Sequence, residues 1–171
     1  MSKQTLNIPF SILDLATVVQ GSTPEYTFRN SLKLAQQAEQ NGYYRYWLAE
    51  HHNIVSIASS ATAVLIGYIA GGTQHIRVGS GGIMLPNHSP LVIAEQFGTL
   101  GSLYPGRIDL GLGRAPGTDQ LTAMVLRRST NLGPEDFSQQ LAELKTYFSA
   151  ENSSGKYVPY PAKALMYPCG F

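Results

Sequence analysis

Four times over, a short apolar stretch of strand length is followed by a longer segment with helical spacing. Asn7–Asp14, Tyr46–Ala49, Ile76–Gly79 and Arg107–Gly113 read as strands. The first helix is expected to open at Ser22–Glu25 as a capping box, with Pro24 in its first turn. Phe28, Leu32, Ala35 and Ala38 recur on one face of it, and Asn41-Gly42 ends it. Ala58–Gly72 is the second helix, Leu91–Leu103 the third (capped at Ser89-Pro90), and Pro134–Phe148 the fourth. Thr118–Gly133 carries a weaker helical pattern and is expected to be an excursion above the sheet. Strict alternation of this kind dictates a parallel sheet with right-handed crossovers. At ~38 residues per unit, eight units need roughly 300, the size of a (β/α)₈ barrel. The chain therefore reads as a small doubly wound domain or as the front half of a barrel. A half-barrel leaves its first and fourth strands as open edges that invite pairing.

Composition narrows the class. The 171 residues are 43% hydrophobic and 13% charged, enough apolar material for one core. The net charge of +1 leaves no footprint for nucleic acid or anionic membrane. A lone cysteine, Cys169, makes no internal disulfide and no zinc cluster, so a reducing, cytoplasmic setting is expected. Ala61–Ala70 is too short to cross a bilayer. The second helix is apolar nearly all round, so it is expected to be buried on more than one side: one side covers the sheet, and the other either meets a partner subunit or is covered within the chain.

In parallel α/β folds the site lies where strands end. Three features stand there: Glu50-His51-His52, Gly79–Gly82, and Arg114. The histidines suit proton transfer near neutrality. A metal set with Glu50 and His88 is the weaker alternative, because no helical His pair or cysteine supports it, and no metal is expected. Neighbouring residues on extended chain point to opposite sides, so at most one histidine faces the centre. A histidine that only fixes a loop is the plain alternative, above all for His52. The Ser80-Gly81-Gly82 stretch lets a flat group approach the backbone, or lets the backbone bulge or take a non-proline cis bond. Gly111–Gly117 lacks the spacing of a dinucleotide fingerprint, whereas Arg114 could fork onto a phosphate. Arg107, at the other end of its strand, reads as structural.

Trp47–His52, Val78–Pro90, Glu95–Leu100 and Tyr104–Arg114 resemble, in order, motifs of the bacterial luciferase-like flavin-dependent oxidoreductases, the plain bacterial luciferase-like monooxygenases above all. The resemblance runs from about residue 7 to 160. It implies the N-terminal half of a TIM (β/α)₈ barrel, in residues 1–150, and an oxidoreductase using FMN. The flavin, reduced by a partner reductase or by NAD(P)H, would act with O2 on a small organic substrate. It also implies His51 as the catalytic base and Glu50, Ser80, Gly81, Gly82 and Arg114 as cofactor-binding residues, with Gly81-Gly82 at a cis peptide under the ring. The second and third helices fall on the family's homodimer interface. Some relatives use a deazaflavin instead.

Family members carry eight units, and this chain carries four. The tail, 151–171, holds Pro159, Pro161 and Pro168 and does not resemble the family's fifth strand. A one-base slip of reading frame accounts for it: with suitable codons, the other frame of Leu165–Phe171 gives Val-Asn-Val-Pro-Leu-Trp-Ile-Leu. The alternative to an active enzyme is a truncated remnant that assembles, or binds flavin weakly, without catalysis.

Overall fold

The structure, a computed structural model, describes residues 8–127 and 135–149. The expectations for Asn7, for the end of the excursion and for the tail lie outside these. Strands β1 (Ser11–Asp14), β2 (Arg45–Leu48), β3 (Arg77–Met84) and β4 (Ile108–Gly113) form one parallel sheet, in the order β1-β2-β3-β4. Between and after them run α1 (Pro24–Gln40), α2 (Thr62–Gly71), α3 (Pro90–Leu103), α4 (Gln120–Arg127) and α5 (Glu135–Phe148). A doubly wound sheet must reverse its strand order somewhere. This sheet never does, so same-handed crossovers place α1, α2 and α3 on one face, which is the geometry of an opening barrel.

The core lies between that face and the helices. Tyr46, Leu48, Val78 and Ile108 point from the strands toward Ile66 and Ile69 of α2 and Ile93 and Phe97 of α3, all buried. Each such side chain contributes about 1.5–3 kcal/mol on burial. On α2 the outward residues are apolar as well: Val64 is 74% exposed and Tyr68 44%.

The opposite face of the sheet is open. Leu13 is 55% exposed and Trp47 lies half-buried beside it. Gly79 is required there, because a Cβ would stand 2.7 Å from the Trp47 ring. Toward the N-terminal ends of the strands the same face carries charge. Asp109 accepts from Arg45 Nε at 2.7 Å and from Arg77 Nε and Nη2 at 2.8 and 2.6 Å. The Arg45 guanidinium also lies 4.8 Å from the Trp47 ring centre.

Element boundaries differ from the sequence reading for local reasons. The cap of α1 is Thr23, whose hydroxyl accepts from the Tyr26 N–H at 3.2 Å, and not Ser22. Pro24 holds the preceding residue extended, so Thr23 stays outside the helix. Glu25 pairs with Arg29 at 2.8 Å instead of closing a capping box. Helix α2 starts at Thr62 rather than Ala58, because Ser56–Ala58 bonds to the chain leaving β1: Ser56 O accepts from Val18 N–H and Ala58 N–H donates to Ala16 O. Strand β1 starts at Ser11, two residues after Pro9, which has no N–H for the ladder. Strand β3 runs on to Met84, with a cis peptide at Gly81-Gly82 and a register shift between Ser80 and Ile83, so the bulge and the cis bond occur together. The excursion contains α4, and the fourth expected helix is α5.

Candidate active site

Parallel strands bring their C-terminal ends to one edge, and there the three marked segments meet. The β2 exit carries Glu50, His51 and His52; β3 carries Ser80, Gly81 and Gly82; the β4 exit carries Arg114–Gly117.

Glu50 turns inward and is 1% exposed. Its Oε1 accepts from His52 Nε2 at 2.7 Å and from His88 Nε2 at 2.8 Å, and its Oε2 from the Met84 N–H at 3.0 Å. Burial pushes its pKa up, but the bonds from His88 and His52 and the Met84 N–H outweigh it and hold the carboxyl below its ordinary value. Both imidazoles need a proton on Nε2 to make these bonds. Among the described residues, Glu50, His52 and His88 are the one group of three with ligand-type atoms within 4.8 Å of one another. The 2.7 and 2.8 Å separations are hydrogen bonds, so the atoms that would face an ion already hold protons between them.

His51 stands apart from this group. Its Nδ1 lies 3.3 Å from the Gly117 carbonyl oxygen, which also accepts the His52 N–H at 3.1 Å. An Nδ1–H donated to a carbonyl leaves Nε2 unprotonated and ready to accept a proton. Among the described residues Nε2 has no partner. Gly117 serves this contact with φ +64, and a Cβ there would stand 2.9 Å from the Glu50 carbonyl.

Ser80 is fully buried. Its hydroxyl donates to Gly111 O at 2.8 Å and accepts the Gly111 N–H at 3.1 Å, which ties β3 to β4. Gly81 is exposed, and its neighbour Gly82 packs so closely that a Cβ would stand 2.9 Å from Gly111 O. The surface at this point is backbone without side chains. Arg114 is exposed and makes no hydrogen bond or ion pair among the described residues. Arg107 is elsewhere and structural: its guanidinium donates to Ile76 O, Ala70 O, Thr73 O and Thr73 Oγ1 at 2.6–3.1 Å, closing the C-terminal end of α2.

The Glu50 side chain and the Ser80 hydroxyl, marked as flavin contacts, are thus engaged within the protein. Sequence reasoning missed the Gly117 carbonyl and weighed His88 only as a metal ligand. The signal for His88 was its place: it follows β3 at the same edge as Glu50. Nothing in composition or spacing marks a carbonyl acceptor such as Gly117.

The model of a known family, luciferase-like monooxygenase (Bac_luciferase), matches residues 8–148. A luciferase-like monooxygenase of Escherichia coli (strain K12) is 58% identical over 154 residues, covering 90% of this chain and 46% of that protein. N-acetyl-S-alkylcysteine monooxygenase of Bacillus subtilis (strain 168) is 48% identical over 141 residues, covering 82% of this chain and 42% of that protein. The crystal structure of apo-MsnO8 superposes with a TM-score of 0.83 at 40% identity, covering 90% of this chain and 46% of that one. The chain spans about half the length of the curated relatives it matches. Four units in barrel order, the motifs at their ends and these likenesses make it a member of the luciferase-like monooxygenase family, carrying the N-terminal half of the barrel.

Proposed function

We propose that this chain supplies the flavin-facing half of an FMN-dependent monooxygenase site, where O2 and reduced FMN, formed by a partner reductase or NAD(P)H, oxidise a small organic substrate. One observation carries the reading. At a single edge of the sheet stand an imidazole whose Nε2 is open, a side-chain-free backbone step and a guanidinium without a partner, among the described residues.

The donor set fits the cofactor. A planar ring needs a flat apolar support, and Gly81-Gly82 beside Leu13 and Trp47 offers one. A phosphate dianion needs a cation without a competing partner, and Arg114 has none among the described residues. The bound reduced flavin would supply two electrons to O2, so that one oxygen atom enters the substrate and the other leaves as water. His51 would hold or release a proton at Nε2 beside the reacting edge. Glu50 and Ser80 would serve from behind, by fixing the loops that carry His51 and the glycines. The Bacillus subtilis relative is named for an N-acetyl-S-alkylcysteine substrate; for this chain a thioether is one substrate class to try. The exposed apolar residues of α2 and α3, Val64, Tyr68 and Val92, would meet a second copy.

The test is a titration of the 171-residue chain with FMN and, separately, riboflavin, followed by flavin fluorescence. Saturable micromolar FMN binding, with riboflavin weaker and the difference lost in Arg114→Ala, is the expected result. No binding of either flavin up to millimolar concentration refutes the reading for this chain. It leaves the second reading, a half-barrel that assembles through its open edges without catalysis, which rests on the outer edges of β1 and β4, paired with no strand among the described residues.

A further inference from the structure

We propose that Glu50 is a positioning residue: together with His52 and His88 it sets where the His51 imidazole stands and which of its nitrogens is open. This deepens the reading above and rests on His51 being the proton-handling group.

The argument starts from the backbone. Glu50 and His52 bracket His51, and each is locked. Their side chains close on one another at 2.7 Å across the intervening residue. Glu50 is further anchored to β3 by the Met84 N–H, and to the chain beyond β3 by His88. His52 is held to the β4 exit on both sides of its backbone: its N–H donates to Gly117 O at 3.1 Å, and its carbonyl accepts from Thr118 Oγ1 at 2.8 Å. The residue between them has little backbone freedom left.

The partner of His51 is fixed by the same node. Gly117 packs on the Glu50 backbone so closely that a Cβ would stand 2.9 Å from the Glu50 carbonyl oxygen and 3.0 Å from Met84 Cγ. One group thus sets both the height of His51 and the position of the carbonyl that holds its Nδ1. A neutral amide cannot replace the carboxylate. With its oxygen toward the imidazoles, the amide NH2 faces the Met84 N–H, donor against donor. Turned over, its NH2 can bond the imidazoles only if both move their proton from Nε2 to Nδ1. Either an anchoring bond is lost or the tautomers of His52 and His88 change, and the node that holds the β2 exit is altered in both cases.

The experiment reads the tautomer directly, without flavin. Long-range 15N–1H correlation spectra of the histidine-labelled chain, its four histidines assigned by single His→Asn variants, report the protonated nitrogen of each ring. In the unsubstituted chain His51 is expected in the Nδ1–H form, and His52 and His88 with Nε2 protonated. In Glu50→Gln the His51 ratio of Nδ1–H to Nε2–H falls by at least about fivefold, the loss of one hydrogen bond, while His75 is unchanged. A merely structural glutamate would lower the unfolding midpoint without moving that ratio. Should Glu50→Gln not fold, His88→Gln, which keeps the carboxylate, decides by the same readout. A His51 tautomer identical to that of the unsubstituted chain in a folded variant overturns the proposal. Because no flavin is present, failure of FMN binding and failure of this inference are separate results.

Discussion

The two ends of the sheet are built on opposite rules. At the N-terminal end Asp109, Arg107 and Glu39 have their partners inside the protein. Asp109 takes three donors from Arg45 and Arg77, and Arg107 gives four bonds to the end of α2 and the chain beyond it. Glu39 gathers the N–H groups of Gln74, His75 and Ile76, which together outweigh its burial and lower its pKa. At the C-terminal end an inner layer is equally satisfied, in Glu50 and Ser80. The outer layer, His51 Nε2, Gly81 and Arg114, faces outward without partners among the described residues. The first end contributes stability; the second, on the proposed function, is the binding end, the division expected of parallel barrels.

Substitutions at the two ends should separate accordingly. The largest effect is expected at the N-terminal end. Asp109→Asn leaves two half-buried guanidiniums without their carboxylate and should lower stability by about 2–3 kcal/mol in urea unfolding. That is less than a fully buried pair would show, because water still reaches the group. FMN affinity of the folded fraction should be unchanged, and a loss of affinity there would break the division. Arg107→Ala should cost about 2 kcal/mol for its four bonds, again without touching flavin.

Arg114→Ala reverses the pattern. It should weaken FMN binding about tenfold, one charge-assisted contact, and shift stability by less than about 0.5 kcal/mol. A marked stability loss would show that Arg114 is structural after all.

The smallest effect tests the inner layer through pH. The Glu50 carboxyl titrates below its ordinary value of 4.5 in the folded chain. Near that pH the unfolded chain therefore holds more protons than the folded one. The contribution of Glu50 is then fully present above pH 4.5 and fades as pH falls through the lower folded value. Urea midpoints should show an acid limb in that window which Glu50→Gln flattens. An unchanged limb in Glu50→Gln would assign it to other carboxylates.

Much of this was legible in the residues. The fourfold alternation implied the parallel sheet, and the positions of Glu50-His51-His52, the glycine step and Arg114 at strand ends placed them together before any coordinates. What local reading lost were effects of neighbours distant in sequence. Helix α2 begins late because Ser56–Ala58 bonds to the exit of β1. Ser22 yields the cap to Thr23 because of the adjacent proline, a local rule that a motif match overrode. The inward turn of Glu50 depends on His88, 38 residues away, and on a backbone N–H that carries no sequence signal. The roles given to Glu50 and Ser80 came from family likeness, and the internal bonds of both side chains carry no local signal in the sequence.

The most direct test of the division is where flavin touches the chain. Backbone 15N–1H spectra of the 171-residue protein recorded during FMN addition should shift at His51, Ser80–Gly82 and Arg114, with Arg45, Arg77 and Asp109 unmoved. Shifts centred on the N-terminal ends of the strands, or none at all at millimolar FMN, would contradict the account.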